Sequence, residues 1–241
     1  MKTVEYIENK LNRLPGGYVF TYLDFVTDVN KREAVIKTLN RMSAAGRISK
    51  LSKGKFYKPE TSAFGNLQPE QSQIVKDLLE KDNKVTGYLT GYSIYNSLGL
   101  TTQISNIIQI GRNESRPSFK MGRYKVFIIR QKNIITRENI PLFQILDSIR
   151  FIKRIPDSSF EFSCGRLLAI IKDLSESRMK TIVRLAQKYP PFTRALLGSM
   201  IETAGYASIA EVLKKSLNPV TCYKIPGTGG ILPFAKNWNI K

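Results

Sequence analysis

A helical pattern, a glycine and a basic hairpin follow one another between Lys31 and Pro59, and they constrain the fold more than any other part of this 241-residue chain. Apolar residues recur there at positions i, i+4 and i+7, which predicts one buried helix face made of Val35, Leu39 and Met42. Gly46 can adopt the positive φ that commonly ends a helix. The stretch therefore predicts a helix from about residue 31 to residue 45.

Two strands are predicted after this helix, from Arg47 to Leu51 and from Lys55 to Lys58. Ser52-Lys53-Gly54 joins them as a tight turn in which glycine takes the positive φ. Because successive side chains of a strand point to opposite faces, Ile48 and Phe56 are expected to pack onto the helices. The lysines of the hairpin are expected to point outward: Lys50, Lys53 and Lys55.

The residues before this stretch predict further elements of the same small domain. Apolar side chains at helical spacing predict a helix over residues 3–14, which Pro15-Gly16-Gly17 would end. Residues 18–20 suit a short strand, and Thr21 can cap a second short helix over residues 22–26. Helix, strand, helix, turn, helix and hairpin is the order of a winged helix-turn-helix. The alternative is a solvated basic hairpin on an unrelated helical domain.

The third helix of this domain has a second face, opposite its apolar stripe, which carries Asn30, Ala34, Lys37 and Arg41. A small residue flanked by amide and cationic side chains suits a helix that lies in the major groove of DNA. We predict that Asn30, Lys37 and Arg41 read bases. Lys31 and Arg32 are predicted to contact phosphate at the start of the helix. The predicted phosphate contacts of the hairpin are Lys50, Lys53 and Lys55.

The charge of the chain is strongly basic, with a net charge of +19 and an isoelectric point near 10. Residues 29–58 hold nine basic residues and one acidic residue, so the excess is densest in the predicted helix and hairpin. A basic excess of this size suggests a polyanionic partner, with nucleic acid first and an anionic membrane second. The alternative is that these lysines and arginines serve solubility alone.

The residue types that the chain lacks exclude several kinds of catalytic or metal site. There is no histidine, which excludes Ser-His-Asp and Cys-His catalysis and histidine-ligated metals. The two cysteines, Cys164 and Cys222, lack the spacing of a zinc site. The glycines from Gly227 to Gly230 are not followed by the lysine and helix of a phosphate-binding loop. We therefore expect no enzymatic activity, no cofactor and no metal.

The hydropathy pattern bears on the cellular location. No stretch approaches the roughly 18 uninterrupted apolar residues that a membrane-spanning helix requires. The first residues enter an amphipathic pattern directly, without the apolar core of a signal peptide. A cytoplasmic protein with no membrane partner is expected.

A polar segment with two prolines and a glycine, residues 59–70, is the best candidate for a domain boundary. Beyond it, strands are predicted at residues 104–110 and 124–130, and helical patterns predominate from about residue 140. These patterns predict an α+β fold, in which a winged helix-turn-helix precedes a mixed α/β domain with a mostly helical C-terminal part. The predicted boundaries are 1–60 for the first domain, 61–82 for a linker with a connecting helix, and 83–241 for the last domain.

A basic loop is predicted between those two strands, from Gly111 to Gly122. With the residue after it, the loop contains Arg112, Arg116, Lys120 and Arg123. It is predicted to be either a second contact for an anion or a solvated hairpin loop.

Three stretches of the chain carry a resemblance to a known family. They are the helix and hairpin with Leu39-Asn40-Arg41-Met42 and Lys53-Gly54-Lys55-Phe56-Tyr57-Lys58-Pro59, the segment Gly87-Tyr88-Leu89-Thr90-Gly91-Tyr92-Ser93, and the region from Gln103 to Arg130. In these stretches the chain resembles the AbiE-type antitoxins. These are bacterial transcriptional regulators of type IV toxin–antitoxin and abortive-infection operons.

The resemblance implies an autorepressor whose N-terminal domain binds double-stranded DNA at repeats in its own promoter. The C-terminal part would then counteract a nucleotidyltransferase toxin from the neighbouring gene, without requiring a stable complex with it. Two other functions remain open at this point. One is an RNA-binding or ribosome-associated basic protein, which recognises shape. The other is a non-catalytic module of a phage-defence nuclease system.

Overall fold

The computed structural model describes residues 3–26, 31–63, 65–225 and 230–241, which form two compact units. The first unit contains the chain up to Leu78 together with Phe119–Tyr124. The second contains Leu79–Ser118 and Lys125–Lys241. Both helices and small sheets are present, so the fold class is α+β.

The first unit is built from short elements around a three-stranded antiparallel sheet of order β1-β3-β2. Its apolar core joins the helices to one face of that sheet, and it includes Ile7, Phe20, Leu39, Ile48 and Phe56. In chain order the elements are α1 (Thr3–Arg13), β1 (Val19–Thr21), a 3₁₀ turn (Tyr22–Asp24), α2 (Arg32–Ala44), β2 (Ser49–Ser52), β3 (Lys55–Tyr57), β4 (Glu60–Ser62), β5 (Gly65–Leu67), α3 (Gln71–Ile74) and α4 (Lys76–Leu79).

The element ends in the first unit follow from local hydrogen bonding. Thr21 caps the 3₁₀ turn, and its N–H donates to the Asp24 carboxylate at 2.7 Å. After α2, Gly46 takes a φ of +72° and the Arg47 N–H donates to the Met42 carbonyl at 3.0 Å. This is the left-handed ending that glycine allows. The bounds of α2 therefore lie within a residue of the prediction.

The connecting helix predicted within residues 61–82 is instead two single turns, α3 and α4, separated at Val75. Ile74 and Val75 are both completely buried, and Leu78 is nearly so. Adjacent residues of one continuous helix lie about 100° apart around its axis, so they do not face the same core equally. The break at Val75 lets both neighbours be buried.

The second unit combines a mixed sheet with five α-helices in the described residues. In its sheet, β9 pairs with β11 in parallel and with β8 in antiparallel register. Its elements are β6 (Glu80–Lys81), β7 (Lys84–Val85), β8 (Gly87–Thr90), β9 (Ile107–Arg112), β11 (Tyr124–Arg130), α5 (Ile140–Arg150), α6 (Phe160–Lys172), α7 (Glu176–Ala186), α8 (Pro191–Thr203) and α9 (Ala207–Lys215). The short strand β10 (Phe119–Met121) and Tyr124 group with the first unit.

The helices of the second unit surround one large apolar core, which also contains the chain's single tryptophan. Trp238 lies against Gly198 of α8, where an added Cβ would come within 2.1 Å of the indole ring. Glycine is required there because of this close approach. Near the end of the chain, Tyr223 and Ile240 form one parallel β-bridge. Among the described residues, no helix combines the length and the apolar character needed to cross a membrane.

Candidate nucleic-acid interface

Helix α2 presents an exposed strip of polar and cationic residues on one side and an apolar stripe on the other. Lys37 and Arg41 are exposed, as is Ala34 between them and the start of the helix. The apolar stripe is buried, as predicted: Val35 is 2%, Leu39 0% and Met42 4% exposed. The predicted phase of the helix is therefore confirmed. Asn30, the first residue of the predicted base-reading set, lies outside the described residues.

The start of α2 carries the two cations that were predicted to contact phosphate. Lys31 is exposed at the N-cap position. The Arg32 guanidinium is exposed and lies 4.9 Å from the centroid of the Tyr22 ring. This contact restrains the arginine without neutralising its charge.

Two of the three lysines that were predicted to contact phosphate from the β2–β3 hairpin are exposed to solvent. Lys50 and Lys53 are exposed, and Gly54 takes a φ of +75° at the turn. The expectation that Lys55 points outward is wrong. Its side chain is 17% exposed, and its ammonium lies 2.6 Å from the Asp77 carboxylate. The cause is α4, which brings Asp77 to the face of β3 opposite the core.

Other basic side chains of the first unit are used within the unit itself. Arg47 forms an ion pair with Glu8 of α1. Lys58 donates to the carbonyl oxygens of Leu14 and Asn12, at 2.6 and 3.1 Å. Within the described part of the chain, the following side chains have neither an ion pair nor a hydrogen bond: Lys31, Lys37, Arg41, Lys50 and Lys53. Among the described residues of this unit, five unpaired cations are thus carried by α2, its N-cap and the β2–β3 hairpin.

The basic loop predicted between residues 111 and 122 does not form one continuous loop, because it includes the end of β9 and all of β10. In the second unit, Arg112 lies 3.8 Å from the Glu114 carboxylate. In the first unit, the Arg123 guanidinium lies 5.1 Å from the ring centroid of Tyr124 and donates to its hydroxyl. These two arginines therefore have partners of their own.

A completely different polar site lies inside the second unit, centred on Asp147 of α5, which is 1% exposed. Its carboxylate accepts hydrogen bonds from the hydroxyls of Tyr88 and Thr90, each at 2.8 Å, and from that of Tyr189 at 3.0 Å. The Gln131 amide donates to both tyrosine hydroxyls, at 2.9 and 2.7 Å. Sequence reasoning missed this cluster. Its one signal is the single charged residue in the mostly apolar stretch from Leu142 to Ile149.

Burial raises the pKa of Asp147, while the three hydroxyl donors and the charge of Arg150 oppose that shift. The pKa values of Tyr88 and Tyr189 are raised by burial and by the nearby carboxylate of Asp147. All members of the cluster are buried, and Asp147 itself is 1% exposed. The arrangement joins β8, α5 and the segment after α7 by hydrogen bonds.

No acidic or thiol cluster suited to a metal ion occurs in residues 3–26, 31–63, 65–225 and 230–241. Cys164 is buried, which raises the pKa of its thiol to about 12, and Cys222 is exposed. A buried thiol of this kind is protonated near neutral pH and therefore unreactive.

Among solved structures, the RV2827C protein from Mycobacterium tuberculosis is similar with a TM-score of 0.49 and 13% identity, over 92% of this chain and 83% of that chain. No curated protein matches the chain significantly. A model described as a family of unknown function, DUF6088, matches residues 6–159. Because that match spans more than half of the chain, the protein belongs to the DUF6088 family.

Proposed function

We propose that the first unit is a winged helix-turn-helix that binds double-stranded DNA, with α2 in the major groove and the β2–β3 hairpin as the wing. The observation that carries the proposal is the exposed strip of Lys37 and Arg41 on α2, directly opposite its buried stripe. A helix in the major groove needs long donor side chains on its outer face and a small residue where it approaches the bases. Ala34 provides the small residue.

The arrangement of the hairpin supports the same proposal. The strand order β1-β3-β2 puts the hairpin at one edge of the sheet, with its turn at Lys53 and Gly54 in solvent. Lys50 and Lys53 are free to contact phosphate, since neither has a partner in the described residues. Helix and hairpin together would contact bases and backbone.

We further propose that the protein represses its own operon and acts as the antitoxin of a type IV system. What supports this part is the resemblance of the segments around Leu39–Pro59 and Gly87–Ser93 to AbiE-type antitoxins. The DNA would be repeats in its own promoter, and the functional partner would be a nucleotidyltransferase toxin. A stable complex with that toxin is not required by the proposal.

The experiment is a gel-shift titration of the full chain with its upstream intergenic DNA, an unrelated duplex and an RNA of the same length. We expect the upstream DNA to bind most tightly, with an affinity that falls steeply as salt rises. Replacement Arg41→Ala should weaken that binding by roughly 1–3 kcal/mol, because a base-reading arginine contributes about this much. Arg178→Ala, an exposed arginine on α7, is the matched control and should bind like the wild type.

Two results would contradict the proposal. Equal affinity for promoter, unrelated duplex and RNA would mean that the first unit recognises charge alone. An unchanged affinity of the Arg41→Ala variant would show that α2 does not read the DNA.

A further inference from the structure

A basic cleft lies in the second unit between the end of α5 and the start of α8. It consists of two adjoining cavities of about 330 and 300 Å³, and both are lined by Arg150 and Pro190. Phe151, Arg154 and Thr193 line the first. These volumes are at the lower end of the range typical of small-molecule sites.

Six cationic side chains line the cleft: Arg130, Lys132, Arg150, Lys153, Arg154 and Lys188. No acidic side chain lines it, and none of the six forms an ion pair within the described part of the chain. Two of them donate a hydrogen bond, each to a backbone carbonyl: Lys153 to Lys224 at 3.0 Å and Lys188 to Lys132 at 3.4 Å. Like charges held this close repel one another, and an anion from outside would relieve that repulsion.

The first turn of α8 points a second kind of donor at the same cavity. Pro190 is the N-cap residue and provides no side-chain cap, so the N–H groups of Phe192 and Thr193 have no capping partner. The positive end of a helix dipole and free first-turn amides favour bound anions. This helix has 13 residues, long enough for a full dipole at its start.

Thr193 gives independent evidence for a ligand. Its side chain is 0% exposed and lines the first cavity, yet its Oγ1 has no hydrogen-bond partner in the described residues. A buried hydroxyl without a partner costs stability, and native proteins rarely leave one so. A phosphate oxygen in the cavity would accept this hydrogen bond.

Aromatic rings complete the cleft. Phe151 and Phe192 are partly exposed and line the first cavity, and the Arg150 guanidinium lies 4.9 Å from the centroid of the Phe151 ring. Half-exposed rings beside cations suit a ligand that carries both a flat base and a phosphate.

We propose that this cleft binds the phosphate of a nucleotide, either a free mononucleotide or one residue of a single strand. The phosphate would lie at the start of α8, accept hydrogen bonds from Thr193 and the first-turn amides, and be neutralised by Arg150 and Arg154. The base would stack on Phe151 or Phe192. This site is in the second unit and does not depend on DNA binding by the first.

The test is isothermal titration of the full chain with four probes: uridine monophosphate, uridine, inorganic phosphate and a short uridylate oligomer. Uridine monophosphate should bind at least about tenfold more tightly than uridine, because the cleft recognises the phosphate. If the oligomer binds more tightly than the mononucleotide, the ligand is a strand. If inorganic phosphate binds as tightly as the mononucleotide, the base contributes nothing and the assignment of a nucleotide ligand is overturned.

Two variants connect binding to the cleft. Arg150→Gln with Arg154→Gln should lower the affinity for uridine monophosphate by about tenfold or more. Thr193→Val keeps the shape of the side chain, so the free protein should not lose stability, while phosphate affinity falls severalfold. The matched control removes two exposed cations from α9, Lys214→Gln with Lys215→Gln, and should bind like the wild type.

The proposal fails if uridine binds as tightly as its monophosphate, or if the Arg150/Arg154 and Lys214/Lys215 variants lose the same affinity. Retained binding by the Arg41→Ala variant is expected, since that residue lies in the first unit. Loss of nucleotide binding in Arg41→Ala would assign the anion to α2 and overturn the cleft site.

Discussion

One carboxylate of the first unit and one of the second differ in their exposure and in their partners. In the first unit, Asp77 is 53% exposed and pairs with the ammonium of Lys55. In the second unit, Asp147 is 1% exposed and receives hydrogen bonds from three hydroxyls. No lysine or arginine of the described ranges forms an ion pair with Asp147, although the chain as a whole carries a net charge of +19.

The difference lies in the partners that an exposed carboxylate and a buried carboxylate require. In the first unit the exposed Asp77 carboxylate meets the largely buried Lys55 side chain, so water screens the pair from the Asp77 side and the pair contributes little. In the second unit the buried carboxylate of Asp147 is satisfied by hydroxyls. The six cations that line the basic cleft form no ion pair within the described residues.

The largest effect that this comparison predicts is for Asp147→Ala. Removing the carboxylate leaves the hydroxyls of Tyr88, Thr90 and Tyr189 buried without their acceptor. We expect a loss of roughly 3 kcal/mol in the free energy of unfolding, since each buried unsatisfied group costs about 1–3 kcal/mol. The measurement is urea unfolding followed by the fluorescence of Trp238, which is buried in the second unit.

The control for this variant is Asp173→Ala, an exposed aspartate at the end of α6, which should change stability by less than about 0.5 kcal/mol. A loss below about 1 kcal/mol in Asp147→Ala would show that the three hydroxyls find other acceptors.

A smaller effect is predicted for the pH dependence that Asp147 contributes. Burial raises its pKa in the folded protein, so the folded state holds the proton more tightly than the unfolded chain. Its contribution to stability is therefore complete below the pKa of the unfolded chain and is lost as pH rises through the folded-state pKa. Asp147→Asn removes this titration, since an amide does not ionise.

We expect the urea midpoint of the wild type to fall relative to that of Asp147→Asn as pH rises from about 4 to about 8. The tyrosines of the cluster do not titrate in this range, because the pKa values of Tyr88 and Tyr189 are raised above their ordinary value. A constant difference between the two proteins across the range would mean that Asp147 binds the proton equally in the folded and unfolded chains, so that its pKa is not raised on folding.

The periodicity of apolar residues was sufficient to predict α1, α2 and the hairpin of the first unit and the mostly helical C-terminal part of the second. Apolar residues three and four positions apart lie on the same side of a helix, so their spacing identifies the buried side of α2. The strand over residues 124–130 was confirmed for a similar reason, since its apolar run is local. The break at Val75 was not predicted. It depends on the burial of two adjacent side chains, Ile74 and Val75, and the local sequence does not show that both are buried.

The sites show the limit of local pattern more clearly. Lys55 alternates with Phe56 and so was expected in solvent, but the residue that covers it, Asp77, is 22 positions away. The partners of Asp147 lie 42 to 59 positions away along the chain. The basic cleft likewise combines separate segments around Arg130, Arg150 and Pro190. Alternation and helical period carry no information about such contacts.

The smallest effect is predicted for Asp77, the carboxylate that pairs with Lys55 in the first unit. Asp77→Ala should lower stability by less than about 1 kcal/mol, and this loss should shrink as salt is added, because the pair is partly exposed and screened. Amide hydrogen exchange of peptides from α2 and β3, read by mass spectrometry, reports the stability of the first unit separately from that of the second.

Lys55→Gln is the matched variant, and it should lose about as much stability, since either change breaks the same pair. A loss as large as that of Asp147→Ala, or one that does not respond to salt, would mean that the Lys55–Asp77 pair behaves as a buried interaction. The contrast between the two carboxylates would then no longer hold.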